Sequence, residues 1–212
     1  MPYLNIVYVS LAMLSFAAAH SLTAGERPKE MLKRRLDARL VEGWYRLAYN
    51  LFSGFTVLPV VILLATLPDR VLYTIPMPWL IASSLGQLVG VAGLIGALFV
   101  TDVWRFIGLR QALAYLSGEP LPLPHEPFQT RGMYALVRHP LYFFSLLVLW
   151  LTPVMTFNVL VFNIGATLYF LIGSRIEERR LERIYGDAYR EYRRRVSGLI
   201  PLPRLRGRRS EL

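Results

Sequence analysis

Five apolar stretches, residues 3–19, 47–67, 79–100, 141–151 and 156–173, leave this chain few folds to choose from. In hydrocarbon no water is present to satisfy exposed backbone N–H and C=O groups, so a segment that crosses it forms a helix, and about 20 residues are needed to cover a core of about 30 Å. Residues 47–67 and 79–100 reach that length. Residues 3–19 are read as a membrane helix rather than a cleaved leader, because no Lys or Arg precedes them and His20-Ser21 is a poor cleavage site. With 54% hydrophobic residues, 18% charged residues and a positive mean hydropathy, the chain is too apolar for a soluble domain of 212 residues. The expected fold is an all-α integral membrane bundle of about five transmembrane helices with a cytoplasmic C-terminal helix, organised as one domain over 1–212.

The charges support that reading. A net charge of +10 on a soluble protein suggests nucleic acid, but here the basic residues lie between the apolar stretches, which suits a bilayer surface and gives no nucleic-acid partner. With the N-terminus placed outside, the inner connections and tail hold 7, 4 and 12 Lys or Arg residues, 23 of the 24, and only Arg70 stays outside. That bias puts the C-terminus in the cytoplasm, as expected for a cell-membrane protein. Cysteine is absent, which excludes disulfides, thiolate metal sites and a cysteine nucleophile. His20, His125 and His139 are far apart and have no metal-ligand spacing, so no metal is expected.

Two polar clusters bracket the last apolar hairpin. The first is RGMYALVRHPLY at 131–142; the second, in SRIEERRLERIYGDAYREY, holds Arg175, Glu177 and Glu178. Pro140 lacks an N–H and is suited to the first helical position, which puts His139 at a helix start, where free N–H groups favour an anion. A helix from Pro140 to Thr152 is roughly 20 Å long, short for a bilayer, so its start is expected in a protein-lined pocket below the surface. The alternative is a helix from Tyr134 that kinks at Pro140. A histidine at a helix start and a carboxylate pair together suit a zwitterionic ligand, although charge pattern alone equally allows Glu177 and Glu178 to pair with Arg179 and Arg183.

Leu181, Tyr185, Tyr189, Tyr192 and Val196 recur at helical spacing, with Gly186 as a possible break. Asn50 and Gln87 are expected to form interhelical hydrogen bonds. Trp44, Trp79 and Trp104 fit an interfacial belt.

The stretches TRGMYALVRHPLY, EERRLERIYGDAYREYRRRV and IPLP resemble the C-terminal half of the isoprenylcysteine carboxyl methyltransferase superfamily of integral membrane enzymes. The shared order is Arg-His-Pro-x-Tyr, a Glu-Glu pair, Gly-x-x-Tyr-x-x-Tyr and a basic run. HSLTA at 20–24, YRLAYNLFS at 45–53, TDVWRFIGLRQAL at 101–113 and LWLTPVMT at 149–156 are similar to the branch of methanethiol S-methyltransferases and related nitrite/nitric-oxide-cluster membrane proteins.

That resemblance implies a methyltransferase that binds S-adenosylmethionine within residues 131–203, with His139, Pro140, Leu141, Tyr142, Glu177 and Glu178 around the cofactor. Arg175, Asp102, Arg110, Gln111 and His20 are further candidates for the substrate side. A structural pairing for Asp102 and Arg110, and a capping or interfacial role for His20, are the alternatives. The resemblance assigns no catalytic residue. Phe144 stands where many members have glycine, which is expected to narrow the pocket, and Gly173 stands where carboxyl methyltransferases have arginine, a loss that argues against an isoprenylcysteine substrate. The expected acceptor is a small or lipophilic thiol like methanethiol; a prenylcysteine carboxylate, a phospholipid amine, or a non-catalytic membrane role are the alternatives.

Overall fold

A computed structural model describes residues 2–124 and 128–202; His125 and the final GRRSEL therefore lie outside the described residues. In chain order the elements are α1 (Pro2–Ala24), α2 (Glu26–Lys33), α3 (Ala38–Thr66), β1 (Val71–Thr74), α4 (Trp79–Val100), α5 (Val103–Ile107), α6 (Leu109–Leu116), α7 (Met133–Leu136), α8 (Pro140–Trp150), β2 (Val154–Thr156), α9 (Phe157–Tyr185) and α10 (Asp187–Arg195). Each of the five apolar stretches is a helix. Four of them, α1, α3, α4 and α9, are long and apolar enough to cross a membrane, and α8 is the shorter apolar helix. Their large apolar side chains, among them Leu51, Phe55, Leu85, Leu88 and Phe99, are exposed, as a lipid-facing surface requires. The protein is an all-α integral membrane bundle.

The chain divides into two compact units, 1–76 with 101–126 and 153–166, and 77–100 with 127–152 and 167–212. In the first, α3 packs on α1 and α6. Asp37 starts α3 by accepting a hydrogen bond from Leu40 N. The 29 residues of α3 make a helix of about 44 Å, so it contains both the apolar stretch and the end of the charged segment before it. TDVWRFIGLRQAL, part of what reads as a polar connection, forms α5 and α6. Gly108 joins them at φ 95, and a Cβ there would meet Leu47 N at 2.3 Å, so only glycine allows this approach to α3. Asn50 Nδ2 donates to Phe106 O at 3.1 Å, the expected link between elements.

The sequence reading contains no strand, yet the connections that follow α3 and α8 pair. β1 and β2 are antiparallel, with Val71 opposite Thr156 and Thr74 opposite Val154. Asp69 Oδ1 then accepts from Asn158 N at 3.1 Å, closing the start of α9. These two short β-branched runs sit in connections, where polar punctuation hides a ladder of three or four residues.

In the second unit, α4 offers small residues to α8. A Cβ on Gly86 would meet Leu151 at 2.5 Å, one on Gly90 would meet Val148 at 2.8 Å, and one on Gly93 would meet the Phe144 ring at 2.2 Å. Membrane helices associate closely through such stripes. Gln87 Nε2 donates to Val148 O at 2.8 Å, as expected, and Ser83 Oγ donates to Leu151 O. Phe144, which the sequence reading takes to narrow a pocket, is buried with its ring edge against Gly93.

Candidate active site

Pro140 is the first residue of α8, not a kink in a longer helix. α7 ends at Leu136, Val137 is extended, and no side chain caps the α8 start at His139. The extended stretch 137–139 is held by the tail: Val137 bridges Ser197 in parallel, Arg138 N donates to Ser197 O at 2.8 Å and His139 N to Gly198 O at 3.3 Å. Pro140 thus starts the helix, and the backbone before it turns Arg138 and His139 toward α9.

There they meet Glu178. Arg138 Nε and Nη2 both donate to Glu178 Oε1, at 2.9 and 2.5 Å, and His139 Nε2 lies 3.1 Å from the same oxygen. Glu178 Oε2 takes no hydrogen bond among the described residues. The other imidazole nitrogen, Nδ1, is 3.4 Å from Glu177 Oε2, and this second carboxylate is half exposed. The pairing with Arg179 and Arg183 that charge pattern allowed is not formed; Arg183 Nε instead donates to Arg179 O. Arg138 is the hub, since its Nη1 also donates to Val196 O at 2.5 Å and Arg193 O at 3.2 Å, tying α10 to the same cluster.

Burial acts to lower the His139 pKa, but hydrogen bonds from the ring to Glu177 and Glu178, and the charge of both carboxylates, overcome it and hold the group above its ordinary value. Both ring nitrogens face carboxylates, so the site favours the imidazolium and leaves no nitrogen lone pair to take a proton.

Aromatic rings extend the site. The His139, Tyr142 and Phe170 rings lie nearly parallel, with centroids 5.5 and 4.9 Å apart. Gly173 on α9 faces this group, and a Cβ there would stand 3.6 Å from Tyr142 Oη, an ordinary contact. Below, Gly186 at φ 54 breaks the tail into α9 and α10, and Tyr185, Tyr189 and Tyr192 nevertheless share one partner, Phe128, at 4.8, 5.8 and 5.3 Å. Tyr192 Oη donates to Tyr134 O at 2.6 Å. The repeat of tyrosines at helical spacing signals this face; nothing in the sequence marks Phe128 or the Ser197-Gly198 strap.

His139, Pro140, Leu141, Tyr142, Glu177 and Glu178 come together in the second unit, as does Arg175, which is exposed and takes no part in the ion cluster. The other candidates belong to the first unit. Asp102 caps α5 through Arg105 N and pairs with Arg110, Gln111 Nε2 donates to Arg105 O, and His20 Nε2 lies 2.7 Å from Tyr49 Oη.

The donor set fits the cofactor that the sequence resemblance implies. Glu178 Oε2 and exposed Glu177 suit an ammonium, the uncapped α8 start beside Arg138 and His139 suits a carboxylate, and the Tyr142 and Phe170 faces suit an apolar or cationic group.

Comparison with known proteins gives the family. The sequence model of the phospholipid methyltransferase family matches residues 86–188, which include the ion cluster. A methanethiol S-methyltransferase of Mycobacterium tuberculosis is 32% identical over 208 residues, covering 95% of this chain and 81% of that protein. One from Pseudomonas deceptionensis is 32% identical over 94% of this chain and 74% of its own length. One from Crocosphaera subtropica reaches 42% identity over 104 residues, 49% of this chain and 40% of that protein. No solved structure matches the chain. The chain belongs to the same family as these methanethiol S-methyltransferases, and it is a membrane-embedded methyltransferase.

Proposed function

We propose that this methyltransferase uses S-adenosylmethionine to methylate a small or lipophilic thiol of the methanethiol kind. The observation that carries the cofactor half is the split use of two carboxylates: Glu178 Oε1 is saturated by Arg138 and His139, while Glu178 Oε2 and Glu177 remain for a cation. His139, Pro140, Leu141, Tyr142, Glu177 and Glu178 hold the cofactor in this reading, within the cofactor-binding half 131–203. When bound, the cofactor supplies an electrophilic methyl group on a sulfonium.

The chain's own contribution is alignment and exclusion of water, which account for much of such an in-line displacement. His139 serves as a held cation, not as a base, because its two nitrogens face carboxylates. A thiol tolerates this, since its thiolate is accessible near neutral pH. Glycine at 173, where carboxyl methyltransferases have arginine, supports a neutral or thiolate acceptor over a prenylcysteine carboxylate. The names of the full-length relatives support methanethiol. The Lys and Arg bias supports a site on the cytoplasmic side of the cell membrane, with the N-terminus outside.

The test is dimethyl sulfide in the headspace above membranes expressing the protein and supplied with methanethiol and S-adenosylmethionine, beside a His139→Ala control. Signal lost in the control supports donor and acceptor together. No signal in the parent, with cofactor binding intact, rejects the thiol and moves the acceptor to a phospholipid amine, phospholipid being the substrate class in the matching family's description.

A further inference from the structure

Among the described residues of the second unit, one buried side-chain polar atom makes no hydrogen bond, Tyr189 Oη. The residue is fully buried, with its ring against Phe128 and Tyr192. A phenylalanine would meet every one of those ring contacts. The proton of this desolvated hydroxyl therefore has no acceptor, which a fold retains only at a cost. Three residues along the same helix, Tyr192 meets the same problem and solves it on Tyr134 O. Both tyrosines are on α10, whose Arg193 and following Val196 carbonyls are gripped by Arg138.

The position of the hydroxyl is informative. It lies beside the Arg138 guanidinium, without a hydrogen bond of good geometry to it, and within reach of the Glu178 charge. Burial, followed by the Glu178 charge, pushes its pKa up to about 12 against the opposing pull of Arg138, so it keeps its proton and has that proton to donate. Its neighbours set the sign of the missing acceptor. Arg138 and His139 are cationic, and the one Glu178 oxygen that faces them is already saturated. An incoming anionic oxygen completes the set.

We propose that Tyr189 is a ligand-binding residue whose hydroxyl donates to the carboxylate at the amino-acid end of the bound methyl donor, leaving Glu177 and Glu178 Oε2 to the ammonium. This rests on the cofactor reading above. It adds an α10 residue to a site otherwise built from the α8 start and α9, and it explains why a tyrosine occupies a position whose packing asks only for a ring.

Binding of two probes to the full chain in detergent, for the parent and Tyr189→Phe, tests it by calorimetry: S-adenosylhomocysteine, which has the amino-acid end, and 5′-methylthioadenosine, which lacks it. The expected result is that Tyr189→Phe binds S-adenosylhomocysteine about tenfold more weakly, the size of one lost hydrogen bond to a charged group, binds methylthioadenosine as the parent does, and unfolds without ligand at the same or a higher temperature. Unchanged S-adenosylhomocysteine affinity, equal weakening for both probes, or a lower ligand-free unfolding temperature each overturns the assignment. A parent that binds neither probe overturns the cofactor reading itself, and this proposal with it.

Discussion

Arg138 places two nitrogens, Nε and Nη2, on a single oxygen of Glu178 instead of spreading them over both. The arginine side chain is only 8% exposed and the glutamate 18%, so the pair is desolvated and each needs the other. Arg138→Met removes the partner of Glu178 and the donor to the Arg193 and Val196 carbonyls together. A loss of about 3–5 kcal/mol in unfolding free energy is expected, read by denaturant titration of the purified protein in detergent. Arg138→Lys keeps the charge without the fork and is expected to lose less.

Stability should also depend on pH through His139. Its pKa in the fold is above the ordinary 6.5 that it regains on unfolding, so its stabilisation is complete below about 6.5 and is lost as pH rises through the folded value. The unfolding temperature of the parent is expected to fall as pH is raised from about 6 across this window. His139→Gln, measured over the same range, is expected to give a flatter curve and a lower value at the acid end.

The fit of Phe144 to Gly93 predicts a compensating pair. Gly93→Val sets a side chain where a Cβ alone is 2.2 Å from the Phe144 ring, and overpacking of this kind costs about 1–3 kcal/mol. Adding Phe144→Ala to Gly93→Val is expected to recover part of the loss, although Phe144→Ala alone destabilises. Unfolding free energies of the four proteins give the coupling directly.

Glu177 and Glu178 are adjacent in sequence and are expected to behave differently. Glu178→Gln breaks the pair with Arg138 and is expected to lower the unfolding temperature by several degrees. Glu177 is half exposed and is engaged only at 3.4 Å, so Glu177→Gln is expected to leave stability within about 0.5 kcal/mol of the parent. If it holds the cofactor ammonium, S-adenosylhomocysteine binding weakens all the same, which calorimetry on the variant would detect.

Pro140 shows how far residue chemistry alone reaches. Its missing N–H announces a helix start, and α8 begins there; the apolar runs announce the membrane helices, which are present at the expected places. Gly186, a poor helix former, marks the break that occurs. What sequence does not display is pairing between distant short pieces. The β1–β2 ladder joins Val71 to Thr156, the strap joins Val137 to Ser197, and Glu178 chooses Arg138, forty positions away, over arginines one and five residues along. Each is settled by tertiary geometry, for which local propensity carries no signal. The ion cluster was legible as two halves through their order and spacing, while the identity of the hub, Arg138, emerged only once the strap had fixed its direction.

The bridge between Val137 and Ser197 gives the cluster a birth order. A ribosome makes Arg138 and His139 about sixty residues before the Ser197–Gly198 segment that holds them extended. Until residues 196–198 emerge, nothing holds 137–139 extended, and the arginine has no backbone acceptor on the tail. The ion cluster on α8 and α9 is therefore completed only as residues 196–198 are added, and with it the site's competence to hold a charged ligand.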